Sequence, residues 1–178
     1  MMWVGKHNPQ SVSYCFDAEP HFQYFNDFKT RPEFVRMKDE IGFTETMSLQ
    51  GSCFMATKEK YFELNLCDES FGSWGNQGIE VACRTWLSGG QVLVNNSTWY
   101  AHMFRTQGGD FGFPYVQSGR AVAKTKKNTW EFFLTGKWDK QVYSVSWLIE
   151  KFWPVKGWTD EDLVKLKKRE ADVLRSNN

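Results

Sequence analysis

The stretch "NQGIEVACRTWLSGG", Asn76 to Gly90, constrains this chain more than any other. Ile79, Ala82, Cys83, Trp86 and Leu87 recur at i, i+3, i+4, i+7 and i+8, which predicts an α-helix with one apolar stripe. Asn76 is placed to cap its start, and Gly89 to end it in a left-handed turn. A face carrying an indole and a thiol must be buried against another layer. The chain of 178 residues suits one domain with a sizeable core.

Around that helix the pattern alternates. "HFQYFNDF" (21–28) reads as extended, with Phe22 and Tyr24 on one face. "KTRPEFVRMKDEIG" (29–42) reads as a charged loop with a helical turn, and "SCFMAT" (52–57) as a short buried strand. "KEKYFELN" (58–65) reads as a short helix with Tyr61, Phe62 and Leu64 partly buried, and "CDESFGSWGNQG" (67–78) as a Gly- and Ser-rich loop. "QVLVNN" (91–96) and "STWYAHMF" (97–104) have strand composition, and residues 105–120 form a Gly-rich loop. "VSWLIEKFW" (145–153) is apolar and fits helix or strand. A last helix starts at Thr159, its N-cap, with Asp160, Glu161 and Asp162 in the first turn and Trp158 placed to staple onto Leu163. Strands alternating with helices predict an α/β layer structure.

Charge and apolar content exclude some partners. A net charge of +1 carries no electrostatic footprint for nucleic acid or an anionic membrane. No apolar run reaches the roughly 18 residues of a membrane span, and the first residues lack a signal-peptide core, so a cytoplasmic location is expected. Cys15, Cys53, Cys67 and Cys83 form no CxxC pair and read as free buried thiols. The nine tryptophans suit a thick core, and also suit sugars, whose C–H faces stack on indole. Trp86, Trp147 and Trp153 lie in periodic apolar segments and are assigned to the core.

Four motifs occur in order: "GSCFMATKEKYF", "WGNQGIEVACRTWLSGG", "WYAHMFR" and "FGFP". Together, over about residues 50–114, with a looser echo from Phe16 to Glu33, they resemble the C-terminal half of GT-A-fold glycosyltransferases, and among them the polypeptide N-acetylgalactosaminyltransferases. The resemblance implies an α/β fold, part of a nucleotide-diphospho-sugar transferase domain, with a mixed sheet flanked by helices and the N-terminal nucleotide-binding half missing. It implies an extended segment at 1–50 leading into the sheet, a sugar- and acceptor-binding core at 51–120, and a C-terminal helical extension at 121–178.

The resemblance also implies roles. Gly51 would lie in a strand whose bare backbone lines the sugar pocket, and Trp74 and Gly75 would form the mouth between donor and acceptor. Gln77 occupies the slot of an acid that holds donor hydroxyls. Glu80 is the second acid, facing the pocket or tying down its wall, and is the candidate catalytic residue. His102 would ligate Mn²⁺ or Mg²⁺, and Arg105 would hold the diphosphate. The loop from Thr106 to Tyr115 would close over the nucleotide, with Tyr115 against substrate. The implied partners are a nucleotide-sugar donor, a glycan or protein acceptor, and a separate nucleotide-binding half. A metal and an arginine suit this chemistry because charge grows on the departing diphosphate.

The residues keep other readings open. Glu80 and Arg84 form an i, i+4 acid–base pair, which on a surface helix contributes roughly 0.3 kcal/mol. His102 alternates with Tyr100 and Phe104, as a buried packing histidine would. The Asp-x-Asp or Asp-x-His metal motif has no good counterpart: Asp160-Glu161-Asp162 is explained by helix capping, and Asp17-Ala18-Glu19 lies too close to Gly51. An amide at Gln77 cannot serve as a general base, which favours a retaining transfer. The alternative function is a non-catalytic carbohydrate-binding or assembly module derived from a glycosyltransferase half domain.

Overall fold

The computed structural model describes residues 13–72, 74–100 and 118–176. Strands β1 (Tyr14–Phe16) and β2 (Phe22–Tyr24) pair antiparallel, with Cys15 opposite Gln23. Helix α1 (Pro32–Ile41) leads into β3 (Phe43–Glu45), which pairs antiparallel with β4 (Leu93–Asn95), Thr44 opposite Val94. Between them lie α2 (Lys58–Glu63) and α3 (Gln77–Leu87), and α4 (Gly119–Leu134), α5 (Val145–Lys151) and α6 (Asp160–Ser176) follow. The fold is thus mixed α and β. In place of the mixed sheet expected, the described residues form two small antiparallel pairs.

Helix α3 is the centre. Ile79, Ala82, Cys83, Trp86 and Leu87 are all buried, as their spacing predicts, and Gly89 takes the left-handed stop at φ 88°. Burial extends past that stripe, however, to Glu80, Val81 and Arg84, so the helix is enclosed on nearly every side. On one side lies the segment 46–51. The indole Nε1 of Trp86 donates to the Thr46 carbonyl at 3.0 Å, and the Thr46 hydroxyl accepts from the Tyr14 amide at 3.0 Å. An isolated bridge from Tyr14 to Ser48 completes that seam. On another side lies α5, whose Val145, Leu148 and Ile149 join the same core, with Phe152 edge-on to Trp86 at 5.5 Å. Trp147 and Trp153 pack against this core, in keeping with the role assigned to them.

Two long-range anchors close the molecule. Arg31 lies over the rings of Phe25 and Phe28 and donates to the carbonyls of Phe152 at 2.8 Å, Trp153 at 3.2 Å and Pro154. The Trp158 indole donates to the Phe16 carbonyl at 2.8 Å. At α6, Thr159 caps as expected: its hydroxyl accepts from the Asp162 amide at 3.2 Å, and the Asp162 carboxylate accepts from the Thr159 amide in return.

Several local expectations are corrected. Residues 32–41 are a full helix rather than a loop, with Pro32 in the first turn and Gly42 at φ 71° ending it. Only Phe34 of that helix is buried, so its apolar face is too narrow to register as a helical stripe. "SCFMAT" is not a strand. Cys53 closes a turn onto the Gln50 carbonyl, Met55 is 98% exposed, and Thr57 is the N-cap of α2, accepting from the Lys60 amide at 3.2 Å. Phe62 lies exposed, whereas Leu64 is buried. Residues 97–100 carry no strand, and Trp99 is exposed. The apolar segment 145–151 resolves as helix. Helix α4 lies in the helical extension expected at 121–178, although no apolar period marks its bounds. Thr125 and Thr129 form half of its buried face, their hydroxyls donating to the Ala121 and Thr125 carbonyls, so its stripe does not look hydrophobic. The four cysteines are free, with Cys15 and Cys83 buried, Cys67 half-buried and Cys53 exposed.

Candidate functional site

The N-terminus of α3 is set by close backbone approaches that glycines permit. A Cβ on Gly78 would lie 1.9 Å from the Leu49 carbonyl oxygen, so the first turn of the helix sits hard against segment 46–51. A Cβ on Gly72, at φ 138°, would lie 2.0 Å from the Thr125 hydroxyl, which seats the preceding loop on α4. Gly75 faces Val122 of α4 in the same way.

Gly51 lies at a turn rather than in the strand expected of it, but it does face the helix start. A Cβ there would come within 3.0 Å of the Gln77 Oε1 and 3.3 Å of the Gly78 amide nitrogen. Gln77 is exposed, and its Nε2 donates to the Cys67 Sγ at 3.0 Å. Cys67 holds a left-handed backbone at φ 63°. The Tyr61 hydroxyl also bonds Cys67, and that bond pushes its pKa above the ordinary phenol value. Tyr100 closes the other flank: its hydroxyl donates to the Gln50 Oε1 at 3.0 Å and lies 2.9 Å from the Ser52 hydroxyl. Trp74 stands at the edge of the loop, 46% exposed.

Glu80 is 3% exposed and turned inward. One carboxylate oxygen pairs with the Arg84 Nε, and the other accepts from the Cys67 amide at 3.0 Å. Arg84 is itself buried. It donates to the Leu64 carbonyl at 3.1 Å and to Asp68 at 3.0 Å, and its guanidinium lies 5.0–5.6 Å from the ring centres of Phe71, Phe132 and Trp138. The i, i+4 pair therefore exists as an enclosed clamp fastening loop 64–71 to α3 rather than as a surface pair. Burial pushes the Glu80 carboxyl above the usual carboxylate range against the pull of Arg84. Asp68 shares the same guanidinium but is less buried. Its desolvation is outweighed by bonds from Ser70, the Arg84 charge and Asn65, which hold its carboxyl below the usual value. Glu80 thus anchors the loop before α3 from inside, and neither of its carboxylate oxygens is without a protein partner.

Of the candidate residues, the structure thus brings Gly51 against Gln77 at the start of α3, with Gly75 seated against Val122, Trp74 half-exposed in the preceding loop and Glu80 one turn on as an anchor. His102, Arg105 and Tyr115 lie outside the described residues. Among the described residues no group of three or more His, Cys, Asp and Glu could hold a metal ion, so these residues alone do not make a manganese site. Sequence reasoning gave three participants no part in the site: Cys67, Arg84, read only as a helix ion pair, and Asn76, read only as a cap. Cys67 and Arg84 gave no signal beyond their spacing to Gln77 and Glu80. Asn76 sits where a cap was expected, but its side chain makes no capping bond and is 3% exposed. In all, the arrangement presents a neutral amide, helix-start N–H groups with no partner within the helix and a half-exposed indole, with the Glu80 carboxylate engaged inside.

No family model matches the chain. Its relatives among characterised proteins are distant and long. Polypeptide N-acetylgalactosaminyltransferase 3 of Drosophila melanogaster is 23% identical over 168 residues, covering 79% of this chain and 25% of the relative. The mouse protein of that name is 36% identical over 73 residues, covering 40% and 11%. The human one is 32% identical over 72 residues, with the same coverage. The chain spans about a quarter or less of the length of such relatives. No helix among the described residues is long and apolar enough to cross a membrane. By sequence the chain is a distant homologue of the polypeptide N-acetylgalactosaminyltransferases, related to these glycosyltransferases over one short part of their length.

Proposed function

We propose that the loop 72–76 and the start of α3 form the sugar-holding wall of a GT-A-type glycosyltransferase. The reaction is transfer of a hexose or N-acetylhexosamine from a nucleotide diphosphate sugar, with UDP as the nucleotide and a glycan or protein as acceptor. One observation carries this reading: the Gly51 backbone faces the exposed Gln77 amide at the start of α3, with the half-exposed Trp74 three residues before it in the chain. Gln77 bonds sugar hydroxyls, accepting with its oxygen and donating with its nitrogen. Trp74 covers an apolar sugar face. Glu80 and Arg84 hold this wall in place and move no proton. Retention of configuration fits a wall without a free base. His102, Arg105 and Tyr115 complete the proposal as metal ligand, diphosphate clamp and substrate contact. When bound, Mn²⁺ or Mg²⁺ offsets charge on the leaving diphosphate.

A second reading is favoured by one observation: both Glu80 oxygens have protein partners and Gln77 is an amide, so this wall offers no acid or base. That suits a carbohydrate-binding or assembly module. Titrating the chain with UDP, Mn²⁺ and oligosaccharides separates the two. A nucleotide- and metal-dependent response, lost in His102→Ala, supports the transferase. Turnover on adding a nucleotide-binding half in trans would exclude the module, and saccharide binding indifferent to nucleotide would exclude the transferase.

A further inference from the structure

Asn76 is the anomaly of the site. It occupies the N-cap of α3, an 11-residue helix, yet its φ of −137° and ψ of 7° leave the extended geometry in which an Asn side chain caps. Its main-chain carbonyl accepts from the Ile79 and Glu80 amides at 3.1 and 2.9 Å. Its side chain, 3% exposed, finds no hydrogen-bond partner among the described residues for either Oδ1 or Nδ2. A buried carboxamide normally has its donor and acceptor satisfied, because leaving them unpaired forfeits the bonds it made to water. Beside it, the amides of Gln77 and Gly78 open the helix and have no partner within it.

The chemistry of what could pair with this amide is narrow. Oδ1 needs a donor, and Nδ2 and the helix amides need acceptors, all within one turn. A phosphate offers acceptors alone and would meet Oδ1 with like lone pairs. A lone ammonium offers donors alone and would face the positive end of the helix. The Glu80 carboxylate, one turn on, is engaged by Arg84 and the Cys67 amide, so it does not pair with this amide. A group carrying a donor and an acceptor side by side fits: an acetamido group, or two neighbouring hydroxyls of a pyranose.

We propose that Asn76 is a sugar-reading residue, whose buried carboxamide is paired only when such an edge of the ligand enters the start of α3. This inference rests on the reading of loop 72–76 as a sugar site, and adds to it the residue that recognises the sugar by a two-point contact. Because the Asn76 side chain is 3% exposed, entry requires residues 74–76 to shift. The loop's two glycines, Gly72 at φ 138° and Gly75 at φ 113°, hold backbone angles that let it be seated on α4 by side-chain contacts with Thr125 and Val122.

The test uses the full chain with Asn76→Ala and Asn76→Gly, the second keeping a residue well suited to a helix start. Thermal unfolding is followed alone and with UDP-N-acetylgalactosamine, UDP-galactose or UDP. Without ligand, both variants are expected to melt no lower than the parent, because no bond is lost. With sugar nucleotide, affinity is expected to fall by at least about tenfold while UDP affinity stays unchanged. A greater loss for the N-acetylated donor identifies the acetamido group as the partner, and an equal loss identifies the hydroxyls. Variants that melt lower than the parent would show that the amide has a structural role, and overturn the proposal. Variants that bind sugar nucleotide like the parent would also overturn it, leaving the parent reading of the loop intact. A parent chain that responds to none of the sugar nucleotides overturns both.

Discussion

Replacing Arg84 by methionine tests the clamp behind the site. The paired Arg84 and Glu80 side chains are 2% and 3% exposed, and the substitution leaves the Glu80 carboxylate enclosed with only backbone amides, those of Cys67 and Asp68, as partners. Removing one partner of such a buried pair costs about 3–5 kcal/mol. At roughly 2–4 °C per kcal/mol for a chain of this size, the melting temperature should fall by about 6–20 °C. The loss should depend on pH. Burial already raises the Glu80 carboxyl, so its contribution is fully present below the unfolded value near 4.5 and is lost as pH rises through the folded value. Without Arg84 the folded value rises further, so the variant should lose more at about pH 8 than at about pH 5. Glu80→Gln combined with Arg84→Met removes both charges and should recover much of the loss. Urea unfolding followed by circular dichroism at both pH values measures all of this. A single variant that loses less than about 1 kcal/mol, with no pH dependence, would refute an enclosed pair.

Gly78→Ala should prevent soluble folding or cost at least about 3 kcal/mol, since its Cβ would meet the Leu49 carbonyl oxygen at 1.9 Å; parent-like unfolding would contradict that approach. Trp74→Ala, at a half-exposed position, should change stability by no more than about 1 kcal/mol while weakening saccharide binding in a titration. Gln77→Glu should fold normally, losing its donor to Cys67, and should keep transfer while altering donor preference in a competition between sugar nucleotides. Thiol labelling of the folded chain should be fast at Cys53 and very slow at Cys15 and Cys83. Burial raises the Cys15 thiol to about 12 and Cys83 further, so equal labelling of all four would contradict their burial.

Helix α3 was legible because it obeys a single period from Ile79 to Leu87 and ends at a glycine. Where the reading failed, a polar residue had a structural purpose that composition hides. Thr57 looked like the end of a strand but caps α2. Thr125 and Thr129 satisfy their hydroxyls within α4, so they pack inward while reading as polar. Met55 and Phe54 suggested a buried strand, yet segment 51–57 has no neighbouring strand to pair with among the described residues. Of the candidate site, one juxtaposition was legible in the sequence. Gly51 and Gln77 do meet. The direction of Glu80 depended on Arg84 being drawn inside by Phe71, Phe132 and Trp138, which lie up to 54 positions away from it in sequence. The orphaned amide of Asn76 has no sequence signature, since Asn before a helix ordinarily signals a cap.

The anchors of Arg31 and Trp158 bear on how the chain is made. Arg31 reaches carbonyls 121 and 122 positions ahead, and Trp158 reaches a carbonyl 142 positions behind. Contacts of such separation form late, because a long loop must close before they repay its entropy. During synthesis from the N-terminus, Phe16, Phe25 and Phe28 emerge well before the α5 and α6 region that covers them. Helix α3 appears midway, with the α5 face of Trp86 still bare. The start of α3 is therefore among the last parts of the molecule to become rigid. A nascent or truncated chain ending before Trp158 would leave this aromatic surface bare and prone to aggregation.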